Sequence, residues 1–147
     1  MRKTLAKVAV IAMAMAPFSV NAEEFEVRML NKGEKGTMVF EPDLVIAQAG
    51  DTVKFIPADK GHNVESIDGM RPDAVETFKS GVNEEFVLTL SEQGVYGVKC
   101  TPHYGLGMVA LIVAGEPVNL DAAMEVKQKG KAKKRFAEIF EAYKAKQ

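Results

Sequence analysis

The sequence has very few of the residues that crosslink proteins or bind metal clusters. Among its 147 residues it contains one cysteine, Cys100, and only two histidines. One cysteine cannot form a disulfide within the chain, and it cannot supply the several thiolates that an iron–sulfur cluster needs. A chain of this length is long enough to build one hydrophobic core. We therefore expect a single domain that is stabilised by packing.

The sequence also lacks an apolar run of about 20 residues, the length that would span a bilayer. Residues 8–16 are apolar but too few, and they follow two basic residues, Arg2 and Lys3. Small residues at Val20-Asn21-Ala22 complete the pattern of a secretory signal peptide. We predict that residues 1–22 are removed and that residues 23–147 are exported, with no membrane attachment after cleavage.

Neither sign of charge dominates. Lysine and arginine total 19 and aspartate and glutamate 20, which gives a formal net charge of -1. The bases are concentrated from Lys127 onward, so the preceding part of the exported chain is acidic. A nucleic-acid-binding domain normally presents a basic face. We therefore expect no nucleic-acid partner.

Short β-strands are predicted through most of the chain. Phe25, Val27 and Met29 alternate with charged residues, as expected for a strand that is buried on one face. Similar segments occupy residues 37–40, 44–47, 52–56, 86–90, 95–100 and 108–113. Residues 31–36 predict a turn, and residues 66–83 an excursion over one edge with a helical turn at 74–78. The pattern is typical of an antiparallel sandwich or barrel with roughly seven or eight strands.

The C-terminal part of the chain predicts helices instead. Asn119 is placed to cap a short helix that extends to Val126, and Gly130 would break this helix. From residue 131 onward, apolar residues recur at helical spacing in one stripe, formed by Phe136, Ile139, Phe140 and Tyr143. We expect this stripe to pack on the outside of the sandwich.

One short segment carries the metal-binding chemistry. Cys100, His103 and Met108 lie on the loop between the last two predicted strands. His62 is the other histidine of the chain. Two imidazoles and a thiolate with a weak axial thioether form a blue-copper electron-transfer site. Asn63, next to His62, is placed to brace the loop. We predict a copper site formed by His62, Cys100, His103 and Met108.

Other functions for these residues remain open at this point. Zinc accepts cysteine and histidine, but a thioether is a poor zinc ligand. Cys100 could act as an enzyme nucleophile with His62 or His103 as its base, although no thiol-protease signature is present. A copper-delivery protein is a further alternative. It would bind Cu(I) without the colour and the reversible redox couple of an electron carrier.

The motif Val98-Lys99-Cys100-Thr101-Pro102-His103, followed by Met108, resembles the cupredoxin family. Residues 60–66 and the helical C-terminal extension are most similar to its pseudoazurin branch. The resemblance implies an all-β fold, an eight-stranded Greek-key β-sandwich with two C-terminal α-helices. One cupredoxin domain would occupy residues 23–147, with the helical extension at about 119–146. It also implies a periplasmic blue-copper electron carrier that is not an enzyme.

The resemblance further implies partners. They would be copper nitrite reductase, c-type cytochromes or cytochrome peroxidase, within denitrification or a related respiration. The electron would leave through the edge of His103, in an apolar patch that includes Met38, Pro102 and Leu106. A ring of lysines would surround this patch, formed by Lys32, Lys35, Lys60 and Lys79. We expect the protein to be a monomer.

Overall fold

The structure, a computed structural model, describes residues 21–147 as a sandwich of two four-stranded sheets followed by two helices. The strands are β1 (Glu24–Gly33), β2 (Gly36–Glu41), β3 (Leu44–Ala47), β4 (Thr52–Ile56), β5 (Glu65–Ser66), β6 (Phe86–Thr89), β7 (Gly94–Lys99) and β8 (Val109–Ala114). The helices are α1 (Leu120–Glu125) and α2 (Lys131–Lys144). Residues 1–20 of the predicted signal peptide lie outside the described residues, so the cleavage site stays a prediction. Among the described helices, none has the length and apolar character needed to cross a bilayer.

The direction of two strand pairs differs from the sequence-based expectation. One sheet has the order β2-β1-β4-β6, and the other has the order β3-β8-β7-β5. β1 pairs with β4, and β3 pairs with β8, in parallel. The predicted sandwich is confirmed, but its antiparallel pairing is wrong for these two pairs of strands. The alternation of apolar and polar residues shows that one face of a strand is buried. It does not show which strand lies beside it or in which direction that strand runs.

The core lies between the two sheets. The first sheet contributes alternate residues to it, among them Val27, Met29, Val53 and Phe55. The second sheet contributes Tyr96 and Val98 from β7 and every second residue of β8. Cys100 and Met108 are buried in this same cluster. The two residues therefore lie at one end of the main core.

The second sheet is also covered on its outer face. Val95, Val109, Leu111 and Val113 pack there against the apolar stripe of α2, whose members are Phe136, Ile139, Phe140 and Tyr143. Burial on both faces explains why β8 is apolar at every position, whereas strands buried on one face alternate. The predicted packing of the C-terminal helix on the sandwich is confirmed.

Two local predictions are wrong, and one short strand was not located. Asn31, predicted in a turn, lies within β1, which continues to Gly33 and is followed by a tight hairpin. Residues 74–78 form no helix, and a single turn closes with a 2.9 Å hydrogen bond from the Val75 amide to the Pro72 carbonyl. The strand that was not located is β5, because its two residues are too few to produce a periodic pattern.

Asn119 begins α1 but does not cap it with its side chain. Its Oδ1 accepts a 2.7 Å hydrogen bond from the Val95 amide, and its Nδ2 donates to the Val95 carbonyl at 3.0 Å. The side chain thus continues the hydrogen bonding of β7, because the helix start lies beside that strand. The predicted cap is replaced by a link between α1 and the second sheet.

Candidate metal centre

Residues 100–108, here called the ligand loop, connect β7 to β8. Cys100 follows β7 directly, and Met108 directly precedes β8. The Cys100 amide donates to the Met108 carbonyl at 3.0 Å, and the Met108 and Leu106 amides both donate to the His103 carbonyl. Between them, residues 104–106 form a single 3₁₀ turn. The loop is therefore short and internally hydrogen-bonded, and both of its ends are fixed in the second sheet.

The structure brings the two histidines and the cysteine together. His62 Nδ1 lies 3.1 Å from His103 Nδ1 and 3.8 Å from Cys100 Sγ. Cys100 Sγ lies 3.5 Å from His103 Nδ1. His62 comes from a different part of the chain, just before β5. The three donor atoms thus surround one point, as predicted from the sequence.

These distances fit a single metal ion. Bonds from a first-row metal to an imidazole nitrogen or a thiolate sulfur are about 2.0–2.3 Å long, so ligands around one ion lie roughly 3–4 Å apart. Among the described residues, only His62, Cys100 and His103 form such a cluster of histidine, cysteine or carboxylate donors. One thiolate and two imidazoles form a donor set that suits copper.

In the metal-free site, the protonation states of His62 and Cys100 follow from their burial. Burial lowers the pKa of His62, the neighbouring His103 lowers it further, and Asp59 acts in the opposite direction. Burial raises the pKa of the Cys100 thiol, and the backbone amides of Asn63 and His103 partly oppose this. His62 is therefore a neutral donor at pH 7. Cys100 keeps its proton until a metal displaces it, so metal binding releases a proton.

Asn31 holds the His62 ring from the other side. Its Oδ1 lies 2.8 Å from His62 Nε2. A hydrogen bond from Nε2–H to this oxygen leaves Nδ1 unprotonated, with its lone pair directed at the cluster. Sequence analysis missed this residue, because Asn followed by Lys-Gly was interpreted as part of a turn. Nothing in the local sequence indicates a contact with a residue 31 positions away.

The predicted brace by Asn63 is confirmed. Its Oδ1 accepts a 2.8 Å hydrogen bond from the Thr101 amide, and its Nδ2 donates to Thr101 Oγ1 at the same distance. Thr101 Oγ1 in turn donates to Glu65 Oε2 on β5 at 2.6 Å. The first residue after Cys100 is thereby fixed to the segment that carries His62. The two halves of the cluster are held together without relying on a metal.

The comparisons with known proteins agree with this geometry. The family "Copper binding proteins, plastocyanin/azurin family" matches residues 27–115. Pseudoazurin of Paracoccus pantotrophus is 53% identical over 132 residues, which cover 89% of each chain. Pseudoazurin of Methylorubrum extorquens is 46% identical and covers 94% of this chain and 95% of that one. The crystal structure of native pseudoazurin from Hyphomicrobium denitrificans superposes with a TM-score of 0.75 at 49% identity, covering 78% of this chain and 94% of that one.

This chain belongs to the pseudoazurins. Pseudoazurins are blue-copper electron carriers of the cupredoxin family and are not enzymes. The expected fold class, the copper cofactor and the absence of enzymatic function are confirmed by this membership. Cys100 is thus not an enzyme nucleophile, and the thiol-enzyme alternative is set aside.

Exposure distinguishes the two histidines of this pseudoazurin. The His62 side chain is completely buried, whereas His103 is half-buried at the surface. Pro102 and Leu106, on either side of His103, are exposed. Met38 of β2 is half-buried and lies opposite Asn31 of β1. Of the two histidines, His103 alone therefore reaches the surface.

The four lysines that were predicted to surround this face have different environments. Lys32 and Lys60 are exposed. The Lys35 ammonium lies 2.8 Å and 2.9 Å from the two oxygens of Asp43, a nearly buried carboxylate. Lys79 lies 4.0 Å from Glu65. The charge of Lys35 is thus compensated locally, and the remaining three lysines present more of their charge to solvent.

Proposed function

We propose that this pseudoazurin is a periplasmic carrier of single electrons that holds one copper ion through His62, Cys100, His103 and Met108. The observation that carries the assignment is the cluster of three donor atoms, all within 4.8 Å of one another. Copper bound there would accept and release one electron by cycling between Cu(II) and Cu(I). Met108 is assigned as the weak axial ligand, because it is buried beside Cys100 at the end of the core.

The chain keeps its ligands in place by contacts that do not depend on the ion. Asn31 orients the His62 ring, and Asn63 joins the His62 segment to the start of the ligand loop. The Cys100 amide is bonded to the Met108 carbonyl, which fixes the two ends of the loop. A site that is held in this way changes little when its charge changes. Small structural change favours fast electron transfer.

The docking face would be the surface around His103. Only this histidine of the cluster is partly exposed, and Pro102, Leu106 and Met38 provide apolar surface around it. Electron-transfer complexes are brief and use small contact areas. A small apolar contact around the histidine edge is suited to such an encounter.

The lysines near this face would guide acidic partners. Lys60 lies two residues before His62, and Lys32 follows Asn31, which contacts the His62 ring. Lys79 contacts Glu65, which accepts a hydrogen bond from Thr101. Long-range attraction raises the association rate without requiring high affinity. We assign copper nitrite reductase, a c-type cytochrome or cytochrome peroxidase as the partner class, and a monomer as the working form.

The first experiment tests the copper site. Cu(II)-loaded protein should show a strong absorption band near about 600 nm and a reversible one-electron couple, and Cys100→Ser should abolish the band. Met108→Leu should keep the band but shift the reduction potential, because the axial ligand tunes that potential. Met29→Leu is the matched control, since Met29 is equally buried but lies on β1 of the other sheet. A colourless oxidised protein without a reversible couple would instead indicate copper delivery.

The second experiment tests the docking face. Replacement of Lys60 and Lys79 by glutamate should slow electron exchange with an acidic partner about tenfold at low salt, and added salt should reduce the difference. Lys144→Glu with Lys146→Glu is the control, because it changes the net charge equally. These residues lie at or beyond the end of α2, about 20 Å along the helix from its start near the ligand loop. Equal rates for both double variants over the salt series would rule out the lysine ring.

A further inference from the structure

The segment between α1 and α2 is hydrogen-bonded to the ligand loop. Tyr104 Oη donates a 2.6 Å hydrogen bond to Gln128 Oε1 and accepts one from the Lys129 amide at 3.2 Å. Gln128 Nε2 in turn lies 3.1 Å from the sulfur of Met70, which is fully buried. The residue that follows His103 is thus connected to a part of the chain 24 positions away.

The same two segments also touch through their backbones. Gly130 has a φ of 55°, and a Cβ added there would lie 2.6 Å from the Gly105 carbonyl oxygen. Gly107 has a φ of 88°, and a Cβ there would lie 3.2 Å from the Lys131 Cβ. Residues 128–131 therefore lie directly against residues 104–107, at a separation that only glycine permits at Gly130.

The ligand loop needs such support on this side. Its middle is a single 3₁₀ turn, an element that is weak in isolation, and Gly105 and Leu106 are exposed. His103 itself is only half-buried. Asn63 fixes the loop at Thr101, before His103, but it makes no hydrogen bond after His103. The contacts with residues 128–131 supply that missing support.

We infer that residues 128–131 clamp the ligand loop, and that Tyr104 and Gly130 are positioning residues that fix the His103 imidazole. The inference rests on the proposed function of His103 as a copper ligand and exit point for the electron. The C-terminal extension then has a role at the copper site in addition to covering the second sheet. Loss of the clamp leaves all four predicted ligands present but loosens one of them.

The structure offers a matched pair of variants to test the clamp. Tyr96 Oη donates a 2.6 Å hydrogen bond to the Glu92 carbonyl and accepts one from the Glu92 amide at 3.1 Å. Tyr96→Phe and Tyr104→Phe therefore each remove one hydroxyl group and two hydrogen bonds. Tyr104 is on the ligand loop. The Tyr96 hydroxyl instead contacts Glu92, which precedes β7.

Two measurements distinguish the variants. In the metal-free protein, amide hydrogen exchange at His103 and Leu106 should be about tenfold faster in Tyr104→Phe than in the parent protein. In the loaded protein, transfer of Cu(I) to a chelator should also be about tenfold faster. Tyr96→Phe should leave both rates within about twofold of the parent protein, although it lowers the free energy of unfolding.

A second pair tests the backbone contact independently. Gly130→Ala should push against Gly105 and accelerate the same two rates. Gly50→Ala introduces comparable backbone strain, since Gly50 has a φ of 96°, but its added Cβ would meet no atom within 4 Å. Gly50→Ala should therefore lower stability without changing either rate. If Gly130→Ala fails to fold, the tyrosine pair decides the question.

The outcomes separate the clamp from the proposed function. Unchanged rates in Tyr104→Phe, or equal changes in both tyrosine variants, would overturn the clamp while a blue parent protein upholds the copper site. A colourless parent protein would overturn the proposed function. Hydrogen exchange in the metal-free variants would still test the clamp in that case.

Discussion

The two sheets of this pseudoazurin are packed differently. In the sheet β2-β1-β4-β6, the inner residues Val27, Met29, Val53 and Phe55 are fully buried, and the residues between them are exposed or half-buried. In the sheet β3-β8-β7-β5, all six residues of β8 are buried, because α2 covers the outer face. One sheet therefore has a free surface, and the other has its two central strands enclosed in the protein.

The predicted copper ligands belong to the enclosed sheet. Cys100 follows β7, Met108 precedes β8, and His103 lies on the loop between them. His62 is three residues before β5, which pairs with β7. An electron carrier benefits from ligands that keep their positions in both oxidation states. A sheet that is packed on both faces provides such positions, because close-packed interiors yield little to local strain.

The one-sided sheet also contributes a hydrogen bond to the same site. Asn31 of β1 contacts His62 Nε2 at 2.8 Å, and its own side chain is otherwise exposed. The enclosed sheet thus supplies the ligands, and the other sheet orients one of them. The following predictions test this division, beginning with the largest effect.

Removal of a large side chain should cost more on the enclosed sheet than on the other. Phe136 of α2 is 1% exposed, so Phe136→Ala leaves a cavity and should lower the free energy of unfolding by about 3–5 kcal/mol. Phe86 of β6 is half-buried and stacks on Phe78. Phe86→Ala should cost about 1–2 kcal/mol, since less surface is lost and no closed cavity forms.

Urea unfolding of the metal-free proteins measures both values on one scale. The ratio of the two losses is informative, because each variant removes the same ring. Equal losses would mean that α2 adds little to the packing of the second sheet. The enclosed sheet would then not be the more rigid one.

Loss of the Asn31 side chain should weaken copper binding more than it weakens the fold. Asn31→Ala removes the acceptor for His62 Nε2–H, so the ring can rotate and change its tautomer. We expect about tenfold weaker copper binding, as is typical when a residue that orients a ligand is removed. The free energy of unfolding of the metal-free protein should fall by about 1 kcal/mol.

Asn119→Ala provides the comparison for this variant. It removes two hydrogen bonds to Val95 at the far end of β7, so it should destabilise the fold and leave copper affinity unchanged. Competition with a chelator of known affinity measures the copper binding of both variants. The hydrogen bond would have no orienting role if Asn31→Ala bound copper as tightly as Asn119→Ala.

Much of this fold could be predicted from the sequence, because its main signals are local. Alternation located β1 and β4, and the apolar stripe from Phe136 to Tyr143 located α2 and its buried face. The parallel pairing of β1 with β4 could not be predicted in this way. The paired residues are 28 positions apart, and the pairing depends on how the chain crosses between the sheets.

The candidate site shows the same limit. His62, Cys100 and His103 could be grouped from their chemistry alone, since few other residues in the chain bind copper. Asn31 and Tyr104 could not be found in this way. Asn31 acts through one hydrogen bond and Tyr104 through two, all to residues more than 20 positions away. Neither residue type is specific to metal sites. The supports of the ligands therefore become visible only in the structure.

The smallest predicted effect concerns Tyr96, whose ring is buried between the two sheets. Burial raises the pKa of its phenol, although hydrogen bonding to the Glu92 backbone partly opposes this. Above the ordinary value of 10.0, the unfolded chain loses this proton while the folded protein keeps it, so stability falls as pH rises. This single group should therefore make the folded protein progressively less stable as the pH rises through about 10. Tyr96→Phe should show a shallower loss of stability than the parent protein over the same rise in pH. Parallel pH profiles for the two proteins would mean that the phenol ionises as readily inside the sandwich as in the unfolded chain, and that burial between the sheets does not oppose the phenolate.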